Sequence, residues 1–257
     1  MILENKLNIT NQVELAKAEE KISKQKAKQL FDSGDIAKVE VGTFSGLSFI
    51  HAYLFEDIYD FAGKIRTVNI AKGNFSFAPL MYLKQSLLHI DTMPQGNFDQ
   101  IIEKYVEMNI AHPFREGNGR ATRIWLDLIL KKEIKQVMDW NLVDKEEYLS
   151  AMERSVVKDI EIKVLLKQAL TDKIHDRALF MKGIDVSYYY EGYSEFRIGK
   201  MGKWGENGDS ALFFLLKIGR CPHFPPIFPI FPFSGINNLF MVSIYLRLFL
   251  HDISPFC

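Results

Sequence analysis

The sequence is poor in cysteine and has no excess of charge of either sign. Its 257 residues include two cysteines, Cys221 and Cys257, so the chain offers no disulfide framework. Basic and acidic side chains number 32 each, and a net charge of zero argues against a nucleic-acid-binding protein, which usually carries a basic face. Residues 1–29 show no basic segment followed by an apolar one, so we expect a cytoplasmic location.

Apolar residues recur at helical spacing through most of residues 1–195, with capping residues where the pattern starts. We therefore predict a mainly α-helical domain over this range, with Asn97, Asp144 and Asp159 as helix caps. Five predicted helices cover residues 11–31, 80–92, 98–111, 144–152 and 160–170. Two more are predicted, one that starts at Thr43 and one that contains residues 120–130. No internal repeat is visible in the sequence.

Residues 65–78 differ in character from the helical segments. Here β-branched and aromatic residues flank Lys72-Gly73-Asn74, which predicts a short hairpin with its turn at those residues. A single hairpin in a helical domain has no sheet to join. It is therefore either an isolated edge or a flap on the surface.

The most informative stretch is residues 112–123, His-Pro-Phe-Arg-Glu-Gly-Asn-Gly-Arg-Ala-Thr-Arg, which we call the motif. His112 can take a proton from an incoming nucleophile near neutral pH. Glu116 offers an oxygen ligand of the kind that Mg²⁺ uses when it bridges phosphates. Either residue alone is more often structural, but a structural interpretation needs the whole set to occur together by coincidence.

The middle of the motif has the composition of an anion-binding turn. Gly117 and Gly119 can adopt positive φ, and Asn118 tolerates it, so we expect successive backbone N–H groups to turn toward one point. The N-terminus of the following helix adds unsatisfied N–H groups and a positive dipole end. Arg120 and Arg123 are three residues apart and share a helix face, where two cations suit a polyphosphate.

The motif resembles the signature of the Fic family, His-x-Phe-x-(Asp/Glu)-Gly-Asn-Gly-Arg-x-x-Arg, and every specified position is filled. The resemblance implies the Fic fold, a helical core with a β-hairpin flap. It also implies transfer of AMP from ATP to a hydroxyl side chain of a target protein. A related branch that moves phosphate has lysine in place of the second glycine. Because Gly119 is intact, we favour AMP transfer.

The resemblance also assigns roles within the motif. By this likeness His112 is the base that activates the target hydroxyl for attack on the α-phosphate, and Phe114 packs inward and holds the loop. Glu116 holds Mg²⁺. The expected nucleotide-binding residues are Gly117, Asn118, Gly119 and Arg120 at the α- and β-phosphates and Arg123 at the γ-phosphate.

The family resemblance extends to the predicted hairpin. In Fic proteins a hairpin flap covers the site and aligns the target by strand addition, a common way for sheet edges to hold extended peptides. The expected target-docking residues are Thr67, Val68, Asn69, Ile70, Lys72, Gly73, Asn74 and Phe75. The alternative is a plain surface hairpin.

A second stretch, Ser187-Tyr-Tyr-Tyr-Glu191-Gly192, predicts a short helix over about residues 185–192 that Asp185 caps and Gly192 ends. Glu191 is electrostatically misplaced at the negative end of that helix and needs a cation elsewhere. The segment resembles the Fic inhibitory motif, (Ser/Thr)-x-x-x-Glu-(Gly/Asn). By that resemblance Glu191 pairs with Arg123 in the γ-phosphate position, and Ser187 anchors the helix.

The same class carries further expectations. In some members the inhibitory glutamate supports removal of AMP from the target, so reversal is a secondary expectation. The class also includes proteins that are regulated by self-association into homo-oligomers. Tyr188, Tyr189 and Tyr190 are candidate sites of self-modification, which would make the protein its own target.

The composition changes sharply after residue 195. Residues 196–257 contain six of the nine prolines and ten of the twenty phenylalanines, and residues 221–246 contain no lysine, arginine, aspartate or glutamate. Prolines exclude a helix through the first half of that uncharged run, which disfavours a membrane span. A transmembrane helix and a peripheral apolar segment stay open as alternatives. We interpret the tail as a frameshift or read-through product.

Two other functions stay open on the sequence alone. Within the enzyme class, the chain could transfer a different phosphate-containing group. From another class, it could be a catalytically silent module that binds nucleotide or a partner without turnover. Nucleotide consumption that depends on His112 distinguishes these functions.

Overall fold

The structure is mainly helical, as the sequence predicts. The computed structural model describes residues 2–72 and 75–191, with the backbone alone at Glu191. Within them are eight α-helices: α1 (Gln12–Asp32), α2 (Phe44–Phe55), α3 (Leu80–Thr92), α4 (Phe98–Ala111), α5 (Asn118–Glu133), α6 (Lys145–Arg154), α7 (Ile160–Gln168) and α8 (Arg177–Glu191). Short 3₁₀ turns lie at Asp35–Lys38 and Trp140–Leu142.

Helix α5 is the centre of the helical core. It packs against α2, α4 and α8, and α1 packs against α2 and α8. Most side chains of α5 are buried on all sides, among them the two arginines of the motif and Trp125. The Trp125 indole N–H donates to the Thr43 carbonyl at 2.9 Å, which fixes α5 to the start of α2. The second half of the motif is therefore part of the core and not of a surface loop.

Most of the predicted helix starts are confirmed. The Asn97 side chain accepts from the Gln100 N–H at 3.1 Å, and the Asp144 side chain accepts from the Glu146 N–H at 2.8 Å. Thr43 caps α2, which begins at the next residue. The cap predicted at Asp159 is wrong, because its side chain makes no capping bond and instead pairs with Lys163 at 2.9 Å.

The predicted hairpin is present. Strands β1 (Ala71–Lys72) and β2 (Phe75–Ser76) are antiparallel, with Ala71 opposite Ser76 and Lys72 opposite Phe75. A second two-stranded pair, β3 (Val137–Met138) with β4 (Leu170–Thr171), joins the chain after α5 to the end of α7. The sequence did not predict this pair, because strands of two residues are too short to show a period.

The last helix is longer than predicted. Helix α8 starts at Arg177, and Asp176 caps it by accepting from the Ala178 N–H at 2.7 Å. The predicted start at Asp185 is wrong, because that side chain lies within the helix and pairs with Lys24 of α1 at 2.7 Å. Gly192 and the tail at 196–257, with the interpretations attached to them, lie outside the described residues. None of the helices in the described part of the chain has the length and apolar character to cross a membrane.

Candidate active site

His112 occupies a left-handed position at the end of α4. Its φ and ψ are 47° and 62°, and its backbone N–H donates to the Met108 carbonyl at 3.0 Å as a helix cap. Its ring stacks on Phe77, which follows β2, with centroids 3.7 Å apart and planes 18° apart. One ring nitrogen also bonds to the Asn109 backbone. The imidazole is therefore held in one orientation by helix and hairpin together.

The surroundings of His112 favour its neutral form. Burial lowers its pKa to about 3, the backbone bond to Asn109 opposes that shift, and the positive charges of Arg66 and Lys72 add to it. The ring nevertheless keeps part of its surface on a cavity. A neutral imidazole with one nitrogen engaged in a hydrogen bond can accept a proton at the other.

Buried side chains support the motif loop, residues 112–117, on the side that faces the core. Phe114 is fully buried and stacks on His51, with centroids 3.8 Å apart. The Asn118 side-chain amide bonds to both the N–H and the carbonyl of Phe114 at 2.9 Å. The Gly63 N–H donates to Nδ1 of His51 at 2.8 Å, so His51 donates through Nε2 to the Glu116 carbonyl at 2.8 Å. The loop is thus rigid before any substrate binds.

The backbone geometry of the motif corrects one expectation. Gly117 has a φ of 77° and precedes α5, and a Cβ there would lie 2.5 Å from the Phe55 ring. Asn118 and Gly119 already belong to the helix, and neither has positive φ. The expectation of positive φ at these two residues is wrong, because the Asn118 side chain closes on Phe114 and starts the helix there. The convergent N–H groups are those of the first turn of α5, which is an anion site by itself.

Arg120 is fully buried between two carboxylates. Its Nη2 donates to Oε1 of Glu116 at 2.8 Å, and its Nη1 donates to Oε1 of Glu19 on α1. Its guanidinium lies over the rings of Phe55 and Tyr188, 5.2 and 4.4 Å from their centroids. A buried charge requires such partners. Arg120 therefore connects the motif to α1 and α8.

Arg123 is also buried, but in different surroundings. Its Nη1 donates to the hydroxyl of Ser187 on α8. Its guanidinium lies over Trp140, Tyr148 and Tyr190, at 4.6, 5.3 and 4.8 Å from the ring centroids. These three rings form an aromatic box of the kind that holds cations.

Helix α8 is anchored beside this arginine by residues along its last two turns. The Tyr188 hydroxyl lies 2.5 Å from that of Ser23, and the Tyr190 hydroxyl donates to the Val143 carbonyl at 3.0 Å. The Ser187 hydroxyl donates to the Gly183 carbonyl at 3.0 Å. The side chain of Glu191 lies outside the described residues, so its predicted pairing with Arg123 stays a prediction.

A buried arginine joins the hairpin to the motif loop. Arg66 donates to the carbonyls of His112 at 2.9 Å and Val68 at 2.7 Å, and to those of Ala78 and Ala111. Its own N–H donates to the Pro113 carbonyl at 2.8 Å. Burial lowers the pKa of Arg66. The base of the hairpin is thereby fixed to the motif loop.

The predicted docking residues divide into three groups. Thr67, Val68 and Lys72 are exposed, and Ile70 and Phe75 are half-buried. Asn69 is exposed, and its side chain accepts from the Leu80 N–H at 2.7 Å, which caps α3. Gly73 and Asn74 lie outside the described residues. The residues of β1, Ala71 and Lys72, are exposed and line the same cavity as His112.

A cavity of about 380 Å³ adjoins the motif. The motif loop and the start of α5 form one wall, the hairpin a second, and α1 with the N-terminal segment a third. The lining residues are Ile2, Leu3, Gln12, Leu15, Ala16, Glu19, Tyr59, Ile70, Ala71, Lys72, Phe77, His112, Arg115, Glu116, Gly117 and Asn118. The expected base, the expected metal ligand and the anion-binding helix end therefore open into one space.

The acidic side chains near the motif include one that fits the expected Mg²⁺. In the described part of the chain, no group of three or more histidine, cysteine, aspartate or glutamate side chains is arranged to hold a metal. Mg²⁺ needs only one or two carboxylates when substrate phosphates supply other oxygens. Glu116 fits this requirement, because its carboxylate lines the cavity and its side chain is 26% exposed.

Two site residues were not predicted from the sequence. Glu19 lies in a helix whose neighbouring positions are mostly charged, and Arg66 lies in a segment interpreted as a strand. A third residue, His51, has no metal-ligand spacing in the sequence, which favours a structural or solvated side chain, and the structure places it in a bracing role. The available signal was a glutamate on the apolar stripe of α1 with Leu15 and Ala27, which are buried with it.

The chain is similar to known proteins in this region. Residues 43–130 match the profile of the Fic/DOC family. The protein adenylyltransferase VbhT of Bartonella schoenbuchensis is 34% identical over 137 residues, which are 48% of this chain and 28% of VbhT. The probable protein adenylyltransferase Fic of Escherichia coli is 28% identical over 174 residues, which are 62% of this chain and 82% of that protein.

Solved structures agree on the fold. The BepC protein of Bartonella tribocorum with bound AMPPNP has a TM-score of 0.54 at 18% identity, covering 66% of this chain and 93% of that one. A Fic domain from Bartonella quintana with bound ADP has a TM-score of 0.54 at 19% identity, covering 70% and 94%. The chain thus covers nearly all of these two solved domains. It covers 28% of the length of VbhT.

Proposed function

The chain carries a Fic domain, and from that premise we propose that it is a protein adenylyltransferase, which transfers AMP from ATP to a hydroxyl side chain of a target protein. The observation that carries the proposal is the shared cavity, in which His112 lies beside the N-terminus of α5 and the edge of the hairpin. A base, an anion site and a peptide edge are the parts that this reaction needs.

His112 acts as the base. Its neutral ring takes the proton of the target hydroxyl, whose oxygen attacks the α-phosphorus, and the bond to the β-phosphate breaks to release diphosphate. Phe77 and the Asn109 backbone hold the ring for this step. Bound phosphates bring negative charge, which raises the low pKa of the imidazole and makes it a stronger base.

The first turn of α5 binds the phosphates. Its N–H groups at Asn118, Gly119 and Arg120 are directed out of the helix end and carry its positive dipole. Gly117 gives the phosphates close access to this backbone, since it has no side chain. We assign Arg123 to the γ-phosphate.

Glu116 holds Mg²⁺ in this proposal. When bound there, Mg²⁺ would supply positive charge next to the phosphate oxygens of the substrate. The carboxylate of Glu116 accepts from the Gly117 N–H at 3.0 Å, which orients it on the cavity wall.

The hairpin edge aligns the target. The exposed residues Thr67, Val68 and Lys72 lie where an extended segment of the target can pair with the hairpin, as sheet edges do in peptide recognition. Arg66 fixes this edge relative to the loop that bears His112. A target hydroxyl is thereby brought to the base.

Helix α8 is an autoinhibitory element. The Ser187 hydroxyl accepts a hydrogen bond from Nη1 of Arg123, which we assign to the γ-phosphate. The last turn of α8 therefore lies against Arg123. Glu191 completes the block by pairing with Arg123, and the same glutamate supports removal of AMP from the target. Self-modification at Tyr188 or Tyr190 requires α8 to leave, because these side chains are buried while it is docked, whereas Tyr189 is half-buried.

The test uses ATP labelled on the α-phosphate. Purified wild-type protein, Glu191→Gly and Glu191→Gly/His112→Ala are incubated with lysate proteins. We expect weak labelling by the wild type, strong labelling by Glu191→Gly and none by the double variant. Glu191→Gly/His89→Ala, which changes an exposed histidine on α3, is the matched control and should label like its parent.

A parallel reaction with ATP labelled on the γ-phosphate distinguishes the transferred group. Label that reaches protein only from the γ-phosphate would replace AMP transfer by phosphate transfer. Nucleotide binding without labelling by any variant would leave a silent binding module. Equal labelling by wild type and Glu191→Gly would remove the inhibitory role of α8 while keeping the catalytic assignment.

A further inference from the structure

Glu19 is a buried carboxylate in the candidate site that the motif does not include. Only 5% of it is exposed, and it lies on α1, 101 residues before Arg120 in the chain. It accepts from the Tyr59 hydroxyl and from Arg120, and the Tyr188 hydroxyl lies 3.5 Å from it. Three donors from three different elements thus converge on one carboxylate.

Glu19 shares one guanidinium with the proposed metal ligand. The two Nη atoms of Arg120 are divided, with Nη1 on Glu19 and Nη2 on Glu116. A guanidinium prefers to bind one carboxylate with two parallel bonds, and its charge is strongest toward whichever carboxylate has no competitor. Glu19 therefore limits how firmly Arg120 holds Glu116.

We propose that Glu19 is a positioning residue for the metal site, which keeps Glu116 available to Mg²⁺ by holding half of Arg120. This inference rests on the proposed function, since it deepens the assignment of Glu116. It predicts opposite effects on two ligands. Loss of the Glu19 charge weakens Mg²⁺ binding, because Glu116 is then the one carboxylate among the two that still attracts the Arg120 charge. It does not weaken binding of metal-free ATP, because the site loses a negative charge.

The experiment measures ATP binding without turnover. The parent is the full chain with His112→Ala and Glu191→Gly, which removes the base and the inhibitory glutamate. Calorimetric titration with ATP is done in EDTA and at a series of Mg²⁺ concentrations, and the Mg²⁺ concentration at half-maximal effect is obtained. Glu19→Gln is then added to the parent.

We expect Glu19→Gln to raise that Mg²⁺ concentration about tenfold, the lower end of the loss that follows removal of an outer-shell partner. ATP affinity in EDTA should stay equal or increase. Glu20→Gln is the matched control, because it makes the same charge change on the next residue, where the carboxylate is partly exposed and pairs with Lys24. It should leave the Mg²⁺ dependence unchanged.

The outcomes separate the two proposals. If the parent binds no ATP, the proposed nucleotide site fails and this inference fails with it. If the parent binds ATP with Mg²⁺ but Glu19→Gln behaves as Glu20→Gln does, the inference alone is overturned. Equal weakening with and without Mg²⁺ also overturns it, since that result indicates a merely structural role.

A second variant covers the case in which Glu19→Gln does not fold, as judged by its melting temperature. Glu19→Asp keeps the charge but shortens the side chain by one methylene, so its bond to Arg120 weakens. A several-fold increase in the required Mg²⁺ supports the inference. If Glu19→Asp and Glu20→Asp require the same Mg²⁺ concentration, the inference is contradicted.

Discussion

Two arginines on one helix are buried within one turn of each other by different means. Arg120 lies between the carboxylates of Glu19 and Glu116, whereas Arg123 lies in the box of Trp140, Tyr148 and Tyr190 and donates to the Ser187 hydroxyl. Negative charge compensates Arg120, whereas the faces of aromatic rings and the dipole of the Ser187 hydroxyl hold Arg123. The sequence predicts both only as cations on one helix face.

The difference indicates which arginine can change partners. Carboxylate partners neutralise Arg120 and hold each of its Nη atoms, so the replacement of either carboxylate by another anion is costly. Aromatic faces attract Arg123 without neutralising it, so an anionic group next to it still gains from its charge. Arg120 is therefore part of the fixed structure of the site, and Arg123 is the better contact for a ligand that comes and goes.

Removal of Arg120 is expected to have the largest effect. Arg120→Ala leaves Glu19 and Glu116 facing each other without a cation and should lower the free energy of unfolding by about 3–5 kcal/mol. Urea denaturation at neutral pH measures it. Arg115→Ala is the control, because Arg115 is partly exposed, and it should cost far less. Equal losses for the two variants would show that the carboxylates do not depend on Arg120.

A third charged group of α5 tests the electrostatics next to Arg123. Burial raises the pKa of Asp127 from its ordinary value of 3.8 to about 7, although the Met138 N–H donates to it at 3.0 Å. A carboxyl whose folded-state pKa is raised adds stability below its unfolded pKa, and that contribution is lost as the pH rises through the folded value. Between about pH 4 and pH 8 the wild type should therefore lose stability on the order of 3 kcal/mol relative to Asp127→Asn.

Denaturation of both proteins across this pH range measures the difference. The Asn variant keeps an acceptor for the Met138 N–H but does not ionise. Parallel pH profiles for wild type and variant would mean that Asp127 titrates normally, so that the positive charge of Arg123 compensates its burial.

The aromatic box predicts a smaller, specific coupling. A double-mutant cycle with Trp140→Leu and Arg123→Met should give a coupling energy of about 1–2 kcal/mol, the range of a desolvated cation–π contact. Unfolding free energies of the four proteins supply it. The cycle of Trp140→Leu with Arg115→Met should give a value near zero. A similarly small value for Arg123 would mean that the rings provide packing and no attraction.

The smallest expected effect concerns the contact between α8 and α1. Burial raises the pKa of Tyr188, so its hydroxyl stays protonated and bonded to Ser23 at 2.5 Å. Tyr188→Phe should cost about 0.5–1.5 kcal/mol, measured by thermal and urea unfolding. Tyr82→Phe on the exposed part of α3 should cost almost nothing. If Tyr188→Phe leaves the free energy of unfolding unchanged, Tyr188 holds α8 through its ring alone.

Local signals made most of the helices and the motif predictable. Asn97, Asp144 and Thr43 cap the helices that they were expected to cap, because a cap is a bond between neighbours in the chain. The hairpin was predicted for the same reason, since its turn residues lie between two short apolar runs. The start of α8 was missed because Asp176 and Asp185 are both plausible caps, and only the contact of Asp185 with Lys24 decides between them.

The unpredicted part of the site consists of long-range contacts. Glu19 reaches the motif across 101 residues, and the Arg66 side chain bonds to the His112 carbonyl across 46. Neither has a periodicity or a spacing to signal it, because the partner is fixed only when α1 and the hairpin pack on α4 and α5. The prediction of positive φ at Gly119 is wrong for a related reason. Helix α5 begins at Asn118, so Gly119 lies inside the helix and not in the turn before it.

The position of Arg66 has a mechanical consequence. One side chain donates to carbonyls before and after the hairpin, at Val68 and Ala78, and to two adjacent carbonyls at the end of α4, so it ties three segments of backbone together. The position of the hairpin is therefore coupled directly to the carbonyl of His112. Docking of a target strand at the hairpin edge, as we propose, would thus also act on the position of the proposed base.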